Sequence, residues 1–362
     1  MSIEYVSIRI PETLEAADAG PFREMVRILN ASCRRTTGTD LFDEDPVDLL
    51  ARFRNTRYWT IACIAARAGD EILGVATVAY EKQTERTAEL DVALASADVD
   101  ERIADALLAQ VETIARVGGR TAAQLWTVHP TSTDGALLAS PTGAGSVPRD
   151  DVQTQRFLRR GYALGQVERA SVLDLGGPLA GVHTLYDDAR AAAGTEYRVV
   201  SWAGETPPEH AAGYAAGITR MTTDVPLGDL SEDVSVWDAE RVFDRDRRHA
   251  AHGTLIGVTI AVHEPTQEVA AFTEFFIGTD RTSTTHQWGT LVLPEHRGRR
   301  LGSLVKCANL LNWREIVPDS PRIVTFNAEE NRHMLDVNER VGFVPAGSVG
   351  AWEKALDATP LA

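Results

Sequence analysis

Residues 4–10 alternate apolar and polar positions as a half-buried strand does, and two helical patterns follow over 21–35 and 46–54. Between 58 and 94, apolar runs broken near Gly69-Asp70 predict two or three antiparallel strands. A helix is predicted over 99–117, with Ile103, Leu107, Val111 and Ile114 on one face, and then a strand over 123–128. The stretch 131–149 is rich in Gly, Pro, Ser and Thr and reads as an exposed loop. A short helix ending at Arg160 and a strand over 163–175 complete this half.

The second half repeats the order. A strand is predicted over 197–202, helices over 208–221 and 236–249, and a hairpin over 254–277 with its turn near Glu264-Pro265-Thr266-Gln267. A strand over 284–293, a helix over 299–316, a strand over 322–326, a helix over 330–341 and a last strand region ending at Leu356 follow. Laid on each other without gaps, the halves put Leu94 on Val292, Ile103 on Leu301, Ala104 on Gly302 and Leu107 on Val305. Gly161-Tyr162 falls on Gly342-Phe343 once the 131–149 loop is counted as an insertion. Agreement of element order and spacing points to internal duplication. The expected fold class is therefore α/β (α+β): two tandem units, each a mixed, mostly antiparallel sheet flanked by helices. The units are placed at 1–177 and 195–362, joined by a linker at 178–194. Its apolar residues Leu179, Val182, Leu185 and Tyr186 suit a packed segment better than a floating tether.

A chain of 362 residues has room for two cores. With 44% hydrophobic and 24% charged residues it is neither disordered nor fibrous. No stretch of roughly 18 apolar residues occurs, and no basic segment followed by an apolar run opens the chain, so neither membrane insertion nor secretion is expected. Cys33, Cys63 and Cys307 are far apart and odd in number, which fits free thiols in a cytoplasmic protein. A net charge of −16 disfavours nucleic acid and anionic membrane and favours a cationic partner such as an amine.

The segment Leu291-Val292-Leu293-Pro294-Glu295-His296-Arg297-Gly298-Arg299-Arg300-Leu301-Gly302-Ser303 runs from an apolar strand through a basic turn into an amphipathic helix. Such a turn aims backbone N–H groups and the positive helix end at one spot, a site for phosphate. Gly298 and Gly302 allow close approach, and Arg297, Arg299 and Arg300 supply forked donors for a pyrophosphate. No Gly-Lys-Ser/Thr follows, so the loop is not of the Walker type.

Here the sequence resembles the GNAT superfamily of N-acyltransferases, whose pattern at this junction is Gln/Arg-x-x-Gly-x-Gly/Ala. Arg297 and Gly302 match its first and last positions, while Arg300 replaces the middle glycine. The variant His-Arg-Gly-x-Arg-Leu-Gly is similar to that of actinobacterial members with two GNAT units. The run from Thr325 to Asn331, followed by Asn338 and Gly342-Phe343, resembles the second GNAT signature. The resemblance implies acetyl-CoA as cosubstrate, with the pantetheine arm on the backbone of Leu291, Val292 and Leu293 and beside Asn327 and Asn331. In the first half Val99, Asp100 and Ala104 stand where Arg297, Gly298 and Gly302 stand, and Glu101 lies opposite Arg299. Carboxylates repel a pyrophosphate, so this degenerate copy is not expected to hold CoA.

Acylation of an amine requires a group to take the ammonium proton. His286, on the strand leading into the loop, is one candidate, and Glu274, set among Phe272, Phe275 and Phe276, is the other. By the resemblance, Asp224 and Asp229 lie where the acceptor pocket is shaped and could bind its ammonium. The resemblance also implies an acid Tyr four residues before Gly-Phe, and that place is held by Asn338. His249 and His252 lack a third ligand at useful spacing, so no metal is expected. The expected activity is N-acetylation of a primary amine of a small molecule by direct attack in a ternary complex, by a monomer or homodimer. The alternative is a non-catalytic acyl-CoA-binding or interaction protein.

Overall fold

The computed structural model describes residues 2–131 and 134–356, which form two compact units. Unit 1 comprises Met1–Arg169, Leu227–Asp233 and Gly347–Ala362, and unit 2 comprises Ala170–Pro226 and Val234–Ala346.

Unit 1 opens with β1 (Glu4–Ile8), α1 (Gly20–Thr37), α2 (Pro46–Phe53), β2 (Trp59–Ala68), β3 (Glu71–Glu81) and β4 (Thr87–Leu94). It continues with α3 (Glu101–Val117), β5 (Ala122–His129), β6 (Leu137–Ala139), β7 (Ser146–Pro148) and α4 (Val152–Arg159), and the chain leaves it within β8 (Ala163–Asp174). Strands β1 to β4 pair antiparallel in sequence order, and β5 runs parallel to β4. Helix α3 lays Ile103, Leu107 and Val111 on a cluster that also holds Leu90, Leu125, Phe157 and Trp352. Trp352 comes from β14 (Val344–Ala355), the last strand of the chain, which pairs antiparallel with β5 from Ser348↔His129 to Ala355↔Ala122.

Unit 2 contains α5 (Ala180–Ala193), β9 (Tyr197–Ala203), α6 (Pro208–Asp224), α7 (Ala239–Ala251), β10 (Leu255–His263), β11 (Glu268–Ile277) and β12 (Thr285–Val292). It closes with α8 (Leu301–Ile316), β13 (Arg322–Ala328) and α9 (Arg332–Val341). Its sheet runs β9-β10-β11-β12 antiparallel, with β13 parallel to β12. One face packs Tyr214 of α6 and Val242 of α7 on Val258, Phe272 and Phe276. The other face carries α8, whose Leu301, Leu304 and Val305 meet Ala261, Ala270 and Ala271. Gly257 lets Trp313 of α8 lie directly on β10, because a Cβ there would come within 2.5 Å of the indole ring.

Residues placed in the linker form α5, whose Val182, Ala189 and Ala193 are buried in clusters shared with α8, so the segment packs as its apolar residues suggested. The sequence reading is corrected at three places. The last strand belongs mostly to unit 1, although its sequence lies at the end of the second half. Strand pairing at that range leaves no mark on local periodicity. The presumed loop 131–149, of which Ser132 and Thr133 lie outside the described residues, contains the β6–β7 pair, and Val147 is fully buried. Finally, α8 starts at Leu301 and not at 299, because Arg300 adopts a left-handed φ of 56° that no helix interior accepts.

Among the described residues, no helix is long and apolar enough to cross a membrane.

Candidate functional site

Strands β12 and β13 pair only at Thr285↔Ile323, His286↔Val324 and Gln287↔Thr325. Beyond Gln287 they part, so the edge of β12 that faced β13 has no strand partner from Trp288 to Val292 among the described residues. The other edge stays paired with β11 as far as Ala271↔Val292, with a bulge across from Glu274. The result is a strand whose backbone donors and acceptors face an opening, and it leads straight into the basic turn.

The turn is shaped by Gly298 and Arg300, with φ of 81° and 56°. No side chain caps the N-terminus of α8, so its first N–H groups are uncommitted to side chains while the helix dipole adds positive charge. A Cβ on Gly302 would meet only Val292 Cγ2, at 3.6 Å, so the approach to these amides is open. Arg297 donates from Nε to the Val292 carbonyl at 3.2 Å. Arg299 pairs with Glu196 at 2.7 Å. Ser303, one residue after Gly302, is buried. This arrangement suits a phosphate or pyrophosphate.

Asp224, read as an acceptor ligand, sits at the end of α6 with its carboxylate 3.2 Å from Arg220 and 3.6 Å from Arg297. Asp229 belongs to the Leu227–Asp233 segment of unit 1, and its backbone N–H donates to the Gly165 carbonyl at 3.0 Å. The two carboxylates thus fall in different units. Asn331 caps α9, accepting from the Met334 N–H at 3.3 Å. Asn327 accepts from Asn338 Nδ2 at 2.6 Å. The side-chain oxygens of both asparagines are therefore engaged with the protein itself.

Glu274 and His286 share the sheet face that looks toward α6 and α7. Glu274 is buried and accepts from Tyr214 Oη and, at 3.0 Å, from Arg245 Nη1, while Arg245 Nη2 reaches Tyr214 Oη at 2.9 Å. Burial pushes the Tyr214 phenol far above its usual range, Arg245 opposes this and Glu274 adds to it, so the hydroxyl stays a donor. His286 lies half-buried across from Phe276 on β11. Trp288, at the bulge, stacks on Phe276 at 5.0 Å and is 39% exposed.

Sequence reasoning missed Tyr214, Arg245, Trp288 and Lys306. Only Lys306 left a local signal, as the sole charged residue between Arg300 and Arg314. Among the described residues, no group of three or more His, Cys, Asp or Glu could hold a metal ion.

In unit 1 the matching strands also part, because β4 and β5 pair only from Thr87↔Ala122 to Glu89↔Gln124. There Asp100 caps α3, accepting from the Arg102 N–H at 2.9 Å. Glu101 in the first turn is held by Arg156 of α4 through bonds of 2.8 and 2.9 Å.

No protein-family model matches the chain, and no curated protein sequence matches it. Solved structures do. A tandem GNAT protein from the clavulanic acid biosynthesis pathway matches with a TM-score of 0.74 and 21% identity, covering 99% of this chain and 100% of its own. A GCN5-related N-acetyltransferase from Sphaerobacter thermophilus matches at 0.61 and 11%, over 98% and 96%. A putative acetyltransferase from Pyrococcus horikoshii matches at 0.53 and 11%, over 98% and 90%. The likeness is one of fold, and the fold is that of tandem GNAT proteins.

Proposed function

From this tandem GNAT fold we propose that the chain is an acyl-CoA-dependent N-acyltransferase, moving an acetyl group from acetyl-CoA to a primary amine of a small molecule. The observation that carries this reading is the uncapped N-terminus of α8 behind a left-handed arginine, set beside the unpaired edge of β12. Acetyl-CoA supplies an activated thioester. The N–H groups of Leu301, Gly302 and Ser303 bind its pyrophosphate, and Arg297, Arg299 and Arg300 neutralise it. The free edge of β12, including Leu291, Val292 and Leu293, holds the pantetheine amides. The acceptor reaches the thioester from the face of α6 and α7, where His286 or Glu274 takes the ammonium proton. The net charge of −16 draws a cationic acceptor toward the protein. Unit 1 does not take part in CoA binding, because its own carboxylates occupy the equivalent helix start.

Two measurements test this. Calorimetry with CoA should show binding to the full chain, and a folded protein that binds none would refute the reading. Thiol release from acetyl-CoA should then appear with one or more members of a panel of primary amines. Binding without release for any amine would identify an acyl-CoA-binding protein instead. With a working acceptor, His286→Gln or Glu274→Gln should shift the acid limb of the pH-rate profile and lower the rate at least about tenfold.

A further inference from the structure

Lys306 of α8 is only 2% exposed. Among the described residues its ammonium has no hydrogen-bond or ion-pair partner, and it lies 5.8 Å from the centroid of the Phe343 ring. Four residues earlier, Gly302 faces Val292 at the end of β12. Four residues later, Leu310 joins a cluster with Ile323 of β13 and with Val341 and Phe343. Residues four apart share a helix face, so Lys306 sits on the strip of α8 that passes from the end of β12 to β13 and α9. That strip borders the place where the two strands part, on the sheet face away from Glu274.

Asn338 stands on the α9 side of the same place. Its carbonyl accepts from the Phe343 N–H at 3.0 Å, its Nδ2 is spent on Asn327, and its buried Oδ1 has no partner among the described residues. The corresponding positions of unit 1, by the same superposition, are Leu108 and Phe157, both buried in an apolar cluster. The fold therefore accepts apolar residues at both positions, and an unpaired ammonium is not a requirement of packing. A buried cation without a counter-charge is costly, and that cost is relieved when a ligand brings an anion to it.

Resting on the acyltransferase reading above, we propose that Lys306 is the proton donor to the departing thiolate of CoA. The amine nitrogen forms its bond to the acyl carbon, the carbon–sulfur bond breaks, and its electron pair goes to sulfur. Sulfur takes the proton from Lys306 Nζ, and Lys306 recovers one from water after the thiol leaves. The acceptor's own proton departs on the opposite face, toward His286 or Glu274.

Burial lowers the Lys306 ammonium from its ordinary 10.5 to about 7, with Cys307 beside it on α8 opposing the shift. An acid that titrates near neutrality both holds and releases its proton under working conditions. Among the described residues, no other titratable group makes an ion pair or hydrogen bond with it. Glu339 and Arg340 of α9 are exposed to solvent, Arg322 of β13 is held by Thr284 at 2.9 Å, and His286 of β12 lies on the other sheet face.

The test is to titrate the thiol of bound CoA by its thiolate absorbance, in the full chain and in Lys306→Leu, with desulfo-CoA as the blank. A cation beside the sulfur should hold the bound thiol at least about one pH unit lower in the wild type than in the variant. Equal values in two proteins that both bind CoA would overturn the proposal. Failure of the wild type to bind either CoA or desulfo-CoA would instead overturn the acyltransferase reading, and the proposal with it. If Lys306→Leu does not fold, Lys306→Met serves in its place. Independently, isotope-labelled lysine in the wild type should show the Lys306 titration shifting with CoA and not with desulfo-CoA. An unchanged titration with bound CoA counts against the proposal.

Discussion

At the end of β4 in unit 1, Asp100 caps α3 and Arg156 clamps Glu101, so the helix start is filled by the protein's own carboxylates. At the end of β12 in unit 2, no side chain caps α8, and Gly298 and Arg300 open the turn. The strands that lead into these junctions coincide end to end when Leu94 is laid on Val292. Both pairs of parallel strands part after three residue pairs. The backbone opening is thus a property of the fold, and the chemistry of the opening depends on a few side chains. Behind each junction the same division holds: Leu108 and Phe157 close one site with hydrocarbon, while Lys306 and Asn338 line the other with polar groups.

The largest effect should come from giving unit 2 the character of unit 1. Gly302→Asp puts a carboxylate and bulk among the first amides of α8, and calorimetry should then detect no CoA binding in a folded protein. Retained affinity would mean that the amides of α8 are not the cradle. The converse change strikes unit 1 alone. Trp352→Ala removes a fully buried indole that bonds Thr127 Oγ1 at 3.0 Å. It should destabilise the chain by about 3–5 kcal/mol in chemical denaturation, with CoA affinity unchanged.

Lys306→Leu copies the unit 1 residue into unit 2 and should change how stability depends on pH. The folded value near 7 lies below the ordinary 10.5, so in that window the unfolded chain binds the proton more readily. Wild-type stability should rise with pH across it relative to the variant, by about 1.4 kcal/mol per pH unit at most. Parallel stability curves for the two proteins would show that the lysine is solvated. The smallest effect is expected for Asp100→Ala, which uncaps α3, lowers the midpoint of chemical denaturation slightly and leaves CoA affinity untouched. A change in affinity there would give unit 1 a share in the site.

Much of this molecule was legible in the sequence. The two series of elements, the duplication and the basic turn from Arg297 to Ser303 all follow from local rules, because apolar period and turn chemistry act over a few residues. So does the loss of the turn in the first half, where Asp100 and Glu101 replace its glycine and arginine. Only tertiary structure decided what depends on distant partners. It made α5 out of a presumed linker through burial against α8, and it drew β14 to β5 more than 200 residues away. It bound Glu274 to Tyr214 and Arg245, spent Asn331 on a helix cap, and set Asp224 against Arg297. It also buried Lys306 beside Phe343 with no ion-pair partner among the described residues. Burial and pairing are sums over neighbours that the chain brings together only on folding, and a residue's own letter does not carry them.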